Sequence, residues 1–181
     1  MMDGLARHWI AGEWTGSADR SEAITLDPAD GSEVCRFADG SRPEAEAAIA
    51  AARQVYDGSG WAHDPRRRAR ALLEMADALD ARRPQLAEML CRENGKPLSE
   101  CLHEVTISSS ELRFYAGLAR ANFGRIMETE PSQMSMIARE PMGVAGIIVP
   151  WNAPLILLVR SLGPALAAGC TAVIKHAAQT A

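Results

Sequence analysis

The sequence predicts an α/β chain in which several helices precede a β-hairpin and one parallel βαβ unit. Three observations carry this. The 181 residues are 48% hydrophobic and 23% charged, with 14 Gly and 10 Pro, which suits a globular chain and excludes disorder, collagen-like repeats and coiled coil. Apolar residues recur at helical spacing, with recognisable start and stop signals, from Ser41 to Ala119. Two short continuous apolar runs, Gly143–Val149 and Thr171–Ile174, flank a helical stretch in the last third. Nineteen basic against 23 acidic side chains give a net charge of −4 without a basic block, so a nucleic acid is not expected as partner. Cys35, Cys91, Cys101 and Cys170 show neither CxxC nor zinc spacing and read as reduced thiols of a cytoplasmic protein.

Residues 8–38 hold short apolar stretches broken by turn chemistry at Gly12 and at Asp27-Pro28-Ala29-Asp30-Gly31, the pattern of strands and turns. Ser41-Arg42-Pro43-Glu44 is a capping box that opens a helix. Ala45, Ala48, Ile49, Ala52 and Val55 continue it to Gly58 and Gly60. A second helix carries Ala69, Leu72, Leu73, Ala76 and Leu79, and its arginines 66, 67, 68 and 70 read as a solvated or ion-paired face. Pro84 starts a third helix that Gly95 stops. After Pro97 comes the longest stripe, Leu98 to Ala119, with Cys101 and His103 beside it and Ser108-Ser109-Ser110 interrupting it. Residues 124–140 read as a hairpin turning at Pro131-Ser132. Met1-Met2-Asp3-Gly4 lacks the basic-then-apolar pattern of a signal peptide. No charge falls between Glu140 and Arg160, yet Pro141, Pro150, Pro154 and Asn152 oppose a membrane span there.

In the last third, Gly143–Val149 reads as a strand buried on both faces, Leu155–Ala168 as a helix stopped by Gly169, and Thr171–Ile174 as a second buried strand. Parallel strands end at one edge of their sheet, where ligands of open α/β sheets bind. Pro150-Trp151-Asn152 and Lys175 therefore reach the same crevice. The pattern leaves two readings open. An amide and an ammonium there suit an anionic or hydroxyl-rich ligand such as a nucleotide; alternatively Trp151 packs, Asn152 caps the following helix and Lys175 is a solvated strand end. No GxGxxG or P-loop is present.

Longer motifs favour the first reading. The segments Glu140-Pro141-Met142-Gly143-Val144, Ile147-Ile148-Val149-Pro150-Trp151-Asn152-Ala153-Pro154 and Gly163 through Lys175 closely resemble the aldehyde dehydrogenase superfamily. Ile10-Ala11-Gly12-Glu13-Trp14, Asp27–Gly31 and Glu93-Asn94-Gly95-Lys96-Pro97 agree in order and spacing, so the resemblance spans residue 8 to about 180. It is nearest to the branch that includes betaine aldehyde dehydrogenases.

The resemblance implies a partial Rossmann-like cofactor-binding domain: its strands and helices over 1–123, its first βαβ unit over 141–181, and between them, at 124–140, a hairpin of the arm through which such enzymes assemble as homodimers or homotetramers. It implies oxidation of an aldehyde to a carboxylate with NAD or NADP, through a cysteine adduct, hydride transfer and thioester hydrolysis. Asn152 matches the catalytic oxyanion-hole asparagine; Ile148, Val149, Pro150, Trp151 and Asn152 match the segment lining the cofactor, and Lys175 the lysine on the adenosine ribose. No metal is implied. Where the family has Pro, a small residue and Glu after this lysine, the chain has His176-Ala177-Ala178. Without a carboxylate at Ala178 to repel a 2′-phosphate, NADP becomes tolerable. Ser161, with Arg160 before it, stands where many members of the betaine branch carry lysine. The family's nucleophilic cysteine and general-base glutamate match nothing here, so the 181-residue chain alone is expected to be inactive and poorly soluble or oligomeric. The alternative is a non-catalytic remnant that binds intact subunits.

Overall fold

The computed structural model describes residues 5–180; Met1–Gly4, read above for a leader pattern, and Ala181 lie outside them. The first elements are two antiparallel hairpins, β1 (His8–Ile10) with β2 (Glu13–Thr15) and β3 (Glu22–Leu26) with β4 (Glu33–Ala38). Helix α1 (Arg42–Gly58) begins at the predicted box. The Glu44 carboxylate accepts from the backbone N–H and the hydroxyl of Ser41 and from the Ala18 N–H, and these bonds, the Ser41 N–H first, hold its pKa down to about 2. Of the predicted stripe, Ala48 and Ala52 are half-buried, whereas Ala45, Ile49 and Val55 stay exposed.

Asp64 caps α2 (Pro65–Ala81) by accepting from the N–H groups of Arg66 and Arg67. Arg68 departs from the solvated face of its neighbours. It is buried, and its guanidinium donates to the carbonyls of Trp61, Ala62 and Ala167. A cation is suited to carbonyls left open near the end of a helix. Helix α3 (Arg83–Asn94) ends at Gly95, whose φ of 71° is the left-handed stop that glycine adopts without strain. Helix α4 (Leu98–Ala119) runs unbroken through the serines: Ser108 donates to the Glu104 carbonyl and Ser109 to that of Thr106, so both are buried without a lost bond. Cys101 lies within the buried stripe, not beside it.

The hairpin of β5 (Arg125–Glu130) and β6 (Gln133–Ile137) forms as predicted, with Phe123, Ile126, Met134 and Met136 exposed on and beside it. Then β7 (Val144–Ile148), α5 (Pro154–Ala168) and β8 (Thr171–Lys175) make the parallel unit. The main core joins Ala69, Leu72 and Ala76 of α2 to Leu112, Ala116 and Ala119 of α4 and to Val159 and Ala167 of α5. Ile147, Val149 and Leu162 bind the strand to α5, and the close approach of α4 to α5 relies on Gly163, where a Cβ would meet the Tyr115 ring at 2.5 Å.

Helix α1 covers only the beginnings of the two strands. Thr171 donates to the Ala52 carbonyl and Tyr56 to that of Pro141, while at the other end Ile148 is 83% exposed. As the exposed Ile174 ends the expected burial of the second strand, so the expectation of a first strand buried on both faces fails at its carboxyl end. Its apolar run is covered throughout on the α5 side, but on the α1 side only near its start. No helix among the described residues is long and apolar enough to cross a membrane.

Candidate functional site

The bare carboxyl edge of the sheet gathers the residues singled out by sequence. Ile148 and Lys175 are register partners, and the Val149 N–H donates to the Lys175 carbonyl at 2.9 Å. The loop after β7 thus leaves the sheet beside the lysine. Pro150, Trp151, Asn152 and Lys175 are all exposed. Val149 differs: its side chain is buried against Ile147 and Leu162, so at this edge it offers backbone only. Lys175 Nζ reaches the His176 carbonyl at 3.1 Å. His176 is half-buried, edge-on to Phe37 at 5.2 Å. Ala178 is exposed, and its carbonyl accepts from the Thr25 hydroxyl, which pins the segment after β8 to β3.

The helix cap assigned to Asn152 by the packing alternative is supplied from elsewhere. The first residue before α5 is Ala153, and the Leu155 and Ile156 N–H groups donate to Oε1 of Glu104 at 2.9 and 3.3 Å. The other Glu104 oxygen accepts from Lys96 Nζ, and Asn94 Nδ2 donates to the Trp151 carbonyl. A buried carboxylate at a helix N-terminus meets both the open N–H groups and the positive end of the helix dipole. Asn152 is thereby left with an exposed amide that bonds to nothing among the described residues. Asn94, Lys96 and Glu104 hold the loop from behind. Sequence reasoning used Asn94 and Lys96 only as part of a motif and missed Glu104.

The same stretch of chain agrees with known proteins. Residues 14–181 match the aldehyde dehydrogenase family. The chain belongs to that family. Similar curated proteins include the NADP/NAD-dependent aldehyde dehydrogenase PuuC of Escherichia coli strain K12, 34% identical over 171 residues (93% of this chain, 34% of that protein), and a mitochondrial aldehyde dehydrogenase of Homo sapiens, 35% identical over 175 residues (95% and 34%). Among solved structures, an NAD-dependent aldehyde dehydrogenase from Sinorhizobium meliloti superposes with a TM-score of 0.94 at 29% identity, covering 99% of this chain and 36% of that one. A betaine aldehyde dehydrogenase from Staphylococcus aureus, solved in complex with NAD+, gives 0.92 at 30% identity, covering 98% and 37%. The chain therefore spans about a third of the length of these aldehyde dehydrogenases.

Behind the loop of this aldehyde dehydrogenase chain lies a cavity of about 190 Å³, lined by Glu93, Leu86, Val149, Leu158, His176 and Thr180 among others. Glu93 is 9% exposed, and its Oε1 and the Thr180 hydroxyl are buried without a hydrogen bond among the described residues. Burial raises the Glu93 carboxyl from 4.5 to about 7. An acid raised on folding keeps its proton in the fold after the unfolded chain has lost it. Stability is therefore whole below the unfolded value of 4.5 and falls as pH climbs to about 7, by roughly 1.4 kcal/mol per unit, about 3 kcal/mol in all. Glu93→Gln is expected to melt above the parent protein at about pH 8 and level with it near pH 4. Melting curves across that range decide it, and a gap that does not change with pH would refute the buried charge.

Proposed function

We propose that this chain is the N-terminal portion of an enzyme that oxidises an aldehyde to a carboxylic acid with NAD or NADP. One observation supports it above others: the Asn152 amide, unbonded among the described residues, lies on the loop that leaves the sheet's carboxyl edge next to Lys175, a loop braced by Asn94 and Glu104. The nicotinamide cofactor accepts the hydride when bound. The residues present fit such a ligand: Ile148 offers an apolar surface, Lys175 an ammonium for ribose hydroxyls or phosphate, and the Pro150–Trp151 backbone a rim. Val149 contributes backbone at this rim, and Ala178 leaves room and no negative charge for a 2′-phosphate. The Asn152 amide donates to the substrate oxygen as it gains negative charge, ready to act without reorganising.

In this reading residues 1–123 and 141–181 belong to the cofactor-binding domain, residues 124–140 to an arm that joins copies of the chain, and the enzyme works in the cytoplasm. The exposed Phe123, Ile126, Met134 and Met136 support the arm. The same apolar surface favours the second reading, a non-catalytic remnant that docks on intact subunits. Calorimetric titration of the purified protein with NAD+ and with NADP+ tests the first. Both are expected to bind, and Lys175→Ala to weaken each roughly tenfold or more, the worth of a charge-assisted hydrogen bond. Failure of both dinucleotides to bind, together with co-purification on an intact relative, would favour the remnant.

A further inference from the structure

Cys91 lies in the last turn of α3 and Cys101 in the first turn of α4, on either side of the turn at Gly95–Pro97. Their thiols converge on one atom. Cys91 Sγ donates to the Lys96 carbonyl at 3.0 Å, and Cys101 Sγ reaches the same oxygen at 3.8 Å. Both side chains pack into the one cluster with Ala87, Leu90 and Val105. Cys91 is half-buried and reachable, whereas Cys101 is wholly buried and its thiol is pushed up by that burial.

We propose that Cys91 and Cys101 are a redox pair that closes to an intramolecular disulfide when the protein meets a peroxide. The reachable partner, Cys91, reacts first. The Cys91 thiolate attacks the peroxide, an S–O bond forms as the O–O bond breaks, and the departing hydroxide leaves as water, giving a sulfenic acid. Cys101 Sγ then attacks the Cys91 sulfur, the S–O bond breaks, and the hydroxide departs as water with the Cys101 proton. Two thiols lose two hydrogens and two electrons, and one peroxide becomes two waters. Burial keeps Cys101 from the peroxide and so leaves the first step to Cys91, while convergence on the Lys96 carbonyl places Cys101 for the second.

The bond would act on the functional loop. It removes both S–H donors from the Lys96 carbonyl, in the turn whose Asn94 side chain holds Trp151 and whose Lys96 side chain holds Glu104. Weakening that support is expected to speed amide exchange at Leu155 and Ile156 by about fivefold, the effect of one net hydrogen bond.

Trypsin makes the test direct, because it cuts after Arg92, between the two cysteines, and is blocked at Lys96 by Pro97. After hydrogen peroxide and alkylation, peptides 83–92 and 93–113 are expected linked, two hydrogen masses lighter than their sum, and separated again by dithiothreitol. Cys91→Ser and Cys101→Ser are each expected to abolish the linked species. Oxidation of Cys91 to sulfinic or sulfonic acid with Cys101 still alkylated would overturn the pair. So would labelled–unlabelled hybrids at the statistical proportion among the linked species when equal amounts of isotope-labelled and unlabelled protein are mixed before oxidation. A disulfide that leaves exchange at Leu155 and Ile156 unchanged would overturn its coupling to the loop.

Discussion

Glu104→Ala is expected to cost about 3–5 kcal/mol of stability, the usual penalty for removing one partner from a buried charge pair. Glu104 is 5% exposed, and it meets three donors at once: Lys96 Nζ and the N–H groups of Leu155 and Ile156. Alanine leaves the ammonium of Lys96, whose side chain is only 19% exposed, without its carboxylate, and leaves two helix-start donors open. A domain holds about 5–15 kcal/mol in total, so the variant should lose much of its fold at ambient temperature. Glu104→Gln keeps an acceptor for α5 but drops the charge, and its cost should fall between those of parent and alanine. Urea denaturation of the three proteins orders them. A loss below about 1 kcal/mol would show that neither the pair nor the cap carries the loop, and a glutamine as harmful as alanine would show that the acceptor for α5 contributes nothing beyond the charge.

That carboxylate also marks the limit of what the sequence discloses. The βαβ unit was legible because its signals are local: an apolar run, a proline at the helix start, Gly169 at its end, and a second apolar run, Thr171–Ile174. The capping box at Ser41–Glu44 was legible for the same reason, since both partners lie within one turn. Glu104 caps a helix that begins fifty residues later, and nothing near it in the chain announces the contact. The serines after it read as a break in an apolar stripe, yet in a helix their hydroxyls bond back one turn and their small size lets the neighbours close in. Arg68 looked like the rest of its run and is instead buried on three carbonyls. Ile148 misled in the opposite direction. Its apolar neighbours promised burial on both faces, but the reach of α1 decides which part of the strand is covered, and that depends on packing between distant segments. At the candidate site, sequence identified the exposed groups and packing supplied the residues that hold them.

Asn152→Ala should behave in the opposite way to Glu104→Ala, with rate lost and stability kept. In the proposed chemistry the asparagine amide donates to the oxygen that becomes negative as the aldehyde carbon is attacked and again as the thioester is hydrolysed. Removing one such donor costs roughly two to three orders of magnitude in turnover. Because the bond strengthens only as charge develops, the loss belongs in kcat, with KM and cofactor affinity little changed. The fold should not notice, since the side chain is exposed and bonds to nothing among the described residues, and such substitutions stay within about 0.5 kcal/mol. Steady-state rates of aldehyde-dependent reduction of the cofactor by the full-length enzyme of which this chain is the proposed N-terminal portion, taken with its melting curves, separate the two effects. Turnover that survives undiminished would remove Asn152 from the chemistry. A large fall in melting temperature would instead return it to the structural role that Glu104 fills, two residues before the helix that Glu104 caps.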